Sequence, residues 1–196
     1  DFSRIKEESD RIRIMRKCLD LTSSGWLSPI ESEQIFVAAG DRVAFELWEM
    51  LQQEKWNLPK TSYEKIRNAV VKNMASADPE KAIRTLVATV PTKSRHSLLA
   101  IVYKKMHEDA PGSCVAKVEA LLPEMDEPTG QQLIEIVART ALESKDLMLA
   151  KQWMERLTNP WKRKDLGEAY ASAVERQNDE LKKGIKDSDA SDIDPF

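Results

Sequence analysis

Apolar residues recur at helical spacing along almost the whole of this chain. Ala82, Ile83, Leu86, Val87 and Val90 fall on one face of a helix, as do Leu133, Ile134, Val137, Ala138, Ala141 and Leu142, and then Ala150, Trp153, Met154 and Leu157. No stretch sustains the two-residue alternation of a half-buried strand. The helix starts are legible from their caps. Ser28-Pro29 with Glu31, Asp78-Pro79 and Asn159-Pro160 each place an acceptor before a proline at the first helical position, where the missing N–H costs nothing. Thr129 with Gln132 has the spacing of a capping box. These signals predict about ten helices, over 3–20, 28–39, 41–55, 60–76, 79–90, 93–108, 112–122, 129–144, 146–158 and 160–178. Links this short make neighbouring helices antiparallel.

Punctuation exposes a repeat. Prolines 59, 91 and 123 are spaced by 32, and so are prolines 79 and 111. Shifts of 32, 68 and 100 carry Ile66 onto Leu98, Ile134 and Leu166, and Ala69 onto Ile101, Val137 and Ala169. On the following helix Ala82 maps to Cys114 and Ala150, and Leu86 to Val118 and Met154. The unit is a helix pair of 32–36 residues, running for about three and a half copies over 61–178. One such pair cannot bury its apolar face alone, so the units are expected to stack.

Ala77-Asp78-Pro79-Glu80-Lys81-Ala82 resembles the turn and second-helix start of a tetratricopeptide repeat. Lys145-Asp146 with Ala150 repeats the arrangement, and Leu166-Gly167 with Tyr170 looks like its first-helix signature. HEAT-type and other helix-hairpin repeats fit nearly as well. Asn73 and Lys105 depart from the family, standing where an aromatic is expected. The fold class implied is all-α: a right-handed α-solenoid of helix hairpins, with an irregular α-helical bundle as the alternative. The expected organisation is an N-terminal helical cap (1–58), helix-hairpin repeats (59–178) and an acidic C-terminal tail (179–196).

Composition narrows the chemistry. Six glycines in 196 residues are too few for a hairpin-rich sheet, a phosphate-cradling loop or a doubly wound nucleotide fold. A net charge of −3 does not announce a polyanion binder. Cys18 and Cys114 both lie on apolar helical stretches and read as buried thiols. His96 and His107 are roughly 16 Å apart along a helix, too far to share a metal. No nucleophile elbow, zinc-protease helix or phosphate loop occurs, so neither an enzyme nor a cofactor is expected. No run approaches the ~18 apolar residues of a membrane span. Helix 3–20 is basic but lacks the Trp or broad Leu face of a membrane-surface helix. The chain begins at Asp1 rather than Met, so compartment stays open.

The expected function is therefore a non-enzymatic protein- or peptide-binding module or scaffold. If the units curve as tetratricopeptide pairs do, the first helix of each pair lines the concave side. Arg67, His96, Tyr103, Gln132, Arg139 and Lys164 then form an inward row suited to an extended polar or acidic segment. Trp56 and Trp161, beside loop prolines, are either packing plugs or, at Trp161 above all, exposed anchors. The acidic stretch from Asp187 to Asp194, followed by Pro195 and Phe196, is itself a segment of the kind such a groove takes. The alternative is single-stranded nucleic-acid binding through the basic residues of 84–107 and 162–164, with Tyr103 and Trp161 to stack on bases.

Overall fold

A computed structural model describes residue 5, residues 7–53 and residues 56–189, with side chains as far as residue 180. The described residues form ten α-helices and no strand. These are α1 (Glu8–Ser23), α2 (Pro29–Ala39), α3 (Ala44–Gln53), α4 (Lys60–Ala77), α5 (Pro79–Thr89), α6 (Thr92–Asp109), α7 (Pro111–Leu121), α8 (Glu127–Glu143), α9 (Leu147–Met154) and α10 (Pro160–Asp189). The contacts divide the chain into two compact units, Asp1–Thr129 and Gly130–Phe196.

Capping side chains set half of the starts. Ser28 Oγ accepts from the Glu31 N–H at 3.2 Å while Glu31 Oε2 accepts from the Ser28 N–H at 2.9 Å, a reciprocal box that satisfies two orphan donors. The backbone N–H and hydroxyl of Ser28 hold the Glu31 carboxyl below its usual pKa. Asp78 Oδ1 takes the Lys81 N–H, and Asn159 Oδ1 takes those of Trp161 and Lys162. At α8 the structure corrects the expectation. The capping residue is Asp126, whose Oδ1 accepts the Thr129 N–H at 2.9 Å, and the helix starts at Glu127 rather than at 129. At the other end of the chain α10 does not stop at 178 but runs to Asp189. Asp187 and Asp189 of the supposed tail are thus helical, while residues 190–196 lie outside the described residues.

Two helices finish in the same way with different residues. At the end of α1 the Trp26 N–H bonds Leu21 O and the Gly25 N–H bonds Thr22 O, with Gly25 at φ +77°. After α8 the Asp146 N–H bonds Ala141 O and the Lys145 N–H bonds Leu142 O, with Lys145 at φ +61°. Both are Schellman ends, whose left-handed residue is ordinarily glycine; lysine bears the strain of its Cβ there.

In the first unit every second helix shares one layer: α2 packs on α4 and α4 on α6. Helix α3 packs on α4, α5 touches both α4 and α6, and α7 packs on α6. The boundary expected at residue 58 is no break in packing. Ile66, Leu98, Ala82 and Cys114, all singled out by the repeat shifts, are buried, as are Ile134, Ala150 and Leu166 in the second unit. Each large apolar side chain so buried stabilises the fold by about 1.5–3 kcal/mol.

Buried polar groups are tied to backbone. Arg11 Nη1 donates to Ala39 O and its Nε to Ile5 O, holding the α2 end and the N-terminal segment together. Asn73, where the resemblance wanted an aromatic, sends its Nδ2 to Phe36 O at 2.8 Å and so joins α4 to the last turn of α2. In the second unit α9 packs on α10 around Trp153, Leu157 and Leu166. Gln131 Oε1 accepts the Thr158 N–H at 2.8 Å, fixing the link between those helices.

Candidate functional site

The layer of α2, α4 and α6 carries a groove of about 450 Å³. Along α4, Asn68, Ala69 and Lys72 occupy i, i+1 and i+4; along α6, Ile101, Lys104, Lys105 and Glu108 form an i, i+3, i+4, i+7 stripe. Glu33 and Val37 complete the wall from α2. Ala69 and Ile101 keep the floor apolar. Above it stand three lysines against two glutamates, and Glu33 already holds Lys65 Nζ at 2.7 Å. Lys105 is paired with Asp109, one turn further on. Lys72 and Lys104 are exposed at the groove. Asn68 Oδ1 is shielded from solvent and has no hydrogen-bond partner. An ammonium on each of two adjacent helices, with an amide one turn from the first, can take a carboxylate together with a neighbouring backbone group.

The predicted row is only partly placed as expected. Tyr103 is corrected outright: it is 1% exposed and its hydroxyl lies 3.7 Å from Cys114 Sγ, in the α6–α7 contact. Burial is the main reason its phenol pKa is raised, with Cys114 adding to it. An amphipathic ring on a half-polar helix face was free to point either way, and α7 covered it. Arg67 is half-buried with its guanidinium carbon 5.8 Å from the Tyr63 ring centre, and its shielded Nε has no hydrogen-bond partner. His96 is half-buried on α6, and neither it nor Arg67 lines the groove.

In the second unit Gln132 is half-buried on α8. Arg139 bridges helices: Nε donates to Glu135 at 3.0 Å and Nη2 to Asp165 of α10 at 2.7 Å. Burial works against its charge, but these two carboxylates outweigh it and its pKa is raised. Lys162 Nζ joins the same buried Glu135 carboxylate at 2.6 Å, so this cluster locks α8 to α10. Lys164 is exposed, 3.9 Å from Glu168. Trp161 is 78% exposed, whereas Trp56 is half-buried and directs its Nε1 to Met50 O.

Most of the basic residues behind the nucleic-acid alternative are engaged within the fold. Arg84 makes a two-pronged pair with Glu124 at 2.9 and 3.1 Å. Arg95 is buried, Lys162 is bound to Glu135, and Arg163 donates to Leu157 O. With Tyr103 covered, Trp161 is the exposed ring left beside those clusters.

A second groove, of about 530 Å³, lies wholly in the second unit, lined by Leu142, Leu147, Ala169 and Ala173 with Lys145, Arg176, Glu143, Gln177 and Glu180 at its rim. Its charges are balanced, and Lys145 Nζ is already held by Glu180 at 3.1 Å. The smaller groove therefore has the stronger polar direction.

Sequence reasoning named Lys104 only within a basic run and Lys105 there and as a departure from the repeat pattern, and it missed Asn68 and Lys72. The 32-residue shift carries Lys72 onto Lys104 just as it carries Ala69 onto Ile101, and that was the signal available. It also passed over Trp26, 80% exposed beside the exposed Leu21 and Ile30. Among the described residues no group of three His, Cys, Asp or Glu side chains is placed to hold a metal, and no helix is long and apolar enough to cross a membrane. Compared with family models, curated proteins and solved structures, the chain matches none.

Proposed function

We propose that this chain is a non-enzymatic binding module, built of stacked helix hairpins, that holds an extended acidic peptide segment across the α2–α4–α6 layer. The observation that carries this reading is the groove itself: Lys72 and Lys104 face it from adjacent helices over an Ala69–Ile101 floor, with the Asn68 amide one turn before Lys72 on α4. The alternation in packing, α2 on α4 and α4 on α6, supports the stacking of pairs. An extended segment laid over two such helices meets one cation at each, and spends its apolar residues on the floor.

The test uses a labelled peptide with the sequence of residues 187–196, whose aspartates alternate with small and apolar residues. Fluorescence anisotropy against the full chain should give saturable binding that weakens with salt. The double variant Lys72→Glu with Lys104→Glu should weaken it by at least about tenfold, since charge-assisted bonds contribute about 1.5–3 kcal/mol each. Its melting temperature should be unchanged, because both side chains are exposed. Equal binding by wild type and variant removes the groove assignment. Tighter binding of a single-stranded oligonucleotide, with a steep salt slope, would replace the peptide reading by the nucleic-acid one.

A further inference from the structure

Cys114 is not an isolated thiol. Its Sγ is 3.5 Å from His107 Nδ1, 3.7 Å from the Tyr103 hydroxyl and 3.1 Å from Pro111 O. The His107 ring stacks on Tyr103 with centroids 6.3 Å apart, which orients it, and it is half-exposed, so a proton it accepts can pass to water. Beside the sulfur, where the α4–α5 turn faces the α6–α7 turn, is a cavity of about 180 Å³. That is the liquid volume of about six waters, enough for one half of a small disulfide. Its wall includes Ser76, Ser113, Asp109 and Lys117, one charge of each sign, with Asp109 also bound to Lys105.

We infer that Cys114 is a modification site, a thiol deprotonated by His107 that exchanges with small disulfides bearing an amino group, through the cavity beside it. At rest the S–H donates to Pro111 O. With its own proton on Nε2, His107 accepts the thiol proton at Nδ1, and the Tyr103 hydroxyl donates to the thiolate. The thiolate attacks one sulfur of the reagent. A Cys114 S–S bond forms as the reagent's S–S bond breaks, and the departing thiolate takes up the proton, so Cys114 is oxidised as the reagent is reduced. The retained half lies in the cavity with its ammonium toward Asp109. Because Cys114 is 1% exposed, the cavity is the route in, and the site selects by size.

Cys18 is the internal control. It too is buried, and burial alone pushes its thiol pKa up, away from reaction. The full chain is treated with cystamine and the adducts are located by peptide mass mapping. Cys114 should be modified at least about tenfold faster than Cys18, and His107→Gln should slow it about tenfold. The bulky aromatic disulfide 5,5′-dithiobis(2-nitrobenzoate) should not show this preference. Cys114→Ala, a small residue at a buried site, should abolish the fast phase. The inference is overturned if Cys114 and Cys18 react alike, or if a folded His107→Gln variant reacts as fast as the parent. The comparison of the two cysteines in the unmutated chain decides the matter even if the His107 variant does not fold. The peptide-binding proposal does not enter this test.

Discussion

Arg95 is 6% exposed, and its guanidinium closes the end of a helix that is not its own. Nε and Nη2 both donate to Val90 O, at 3.1 and 2.8 Å, Nη2 donates also to Val87 O at 2.9 Å, and Nη1 reaches the Thr129 hydroxyl. Val87 and Val90 belong to the last turn and C-cap of α5, whose carbonyls have no partner within the helix. Arg95→Met keeps the apolar stem and removes every one of these bonds. It leaves two carbonyls and a hydroxyl facing a methyl, each at about 1–3 kcal/mol if nothing replaces the donor. Water reaches part of the site, so the expected loss is about 3–5 kcal/mol, as for breaking one side of a buried charged contact. Arg95→Lys retains the charge without the fork and should still lose about 2 kcal/mol. In urea denaturation, with a slope of about 2 kcal/mol/M, the methionine variant should move the midpoint down by about 2 M at constant slope. A loss below about 1 kcal/mol would refute the reasoning: it would mean that solvent satisfies the α5 carbonyls as well as the guanidinium does.

Ala150 is buried at the start of α9, and Ala150→Leu should overpack that site and destabilise by about 1–3 kcal/mol, read as a fall in melting temperature. Lys145→Gly relieves the left-handed strain after α8 at the cost of an exposed pair with Glu180, and should raise stability by about 0.5–1 kcal/mol; a lower melting temperature would show that the pair outweighs the strain. Glu31, Glu124 and Asp126 all have pKa values lowered in the fold, by Ser28, by Arg84 and by Thr129 respectively. Their stabilisation is thus present above the ordinary carboxylate range and lost as pH falls through the lowered values. Stability should decline below about pH 4, and Ser28→Ala should make that decline shallower in an acid titration followed by circular dichroism.

Helix positions were legible because this chain marks its starts with side chains that act locally. Ser28, Asp78 and Asn159 need only their own next three residues to cap, so sequence spacing is enough. Thr129 misled for the opposite reason. Its hydroxyl is claimed by Arg95, 34 residues away, and Asp126 caps in its place. The α10 extension was missed because the stretch after 178 shows no apolar period to announce a helix. Burial at Ile66, Leu98, Ile134 and Leu166 could be read from spacing, but Ala169, which the same shifts carry from Ala69, is exposed, and Ile101 and Met154 are half-buried. The groove could not be read that way, because exposed lysines on separate helices look the same on any solvent face. Only the packing of α4 against α6 sets Lys72 and Lys104 along one groove. Tyr103 was misjudged because a long amphipathic side chain serves equally as a surface contact or as an interior tie, and its neighbour α7 decided which.

The tryptophans give the molecule an optical signature of its own. In the first unit Trp48 is buried with its indole N–H on Thr89 Oγ1 at 3.0 Å, while Trp26 stands in water. In the second, Trp153 is buried under the Arg156 guanidinium, 4.3 Å from the ring centre, while Trp161 stands in water. The first unit thus holds Trp48 and the half-buried Trp56, and the second Trp153, whose emission shifts to longer wavelength on unfolding, while each unit has one further indole already at that limit. With Trp153→Phe the shift reports on residues 1–129 alone, and with Trp48→Phe and Trp56→Phe together it reports on the remainder. Two melting curves that superimpose describe one cooperative fold, and two that separate describe a chain whose halves come apart in sequence.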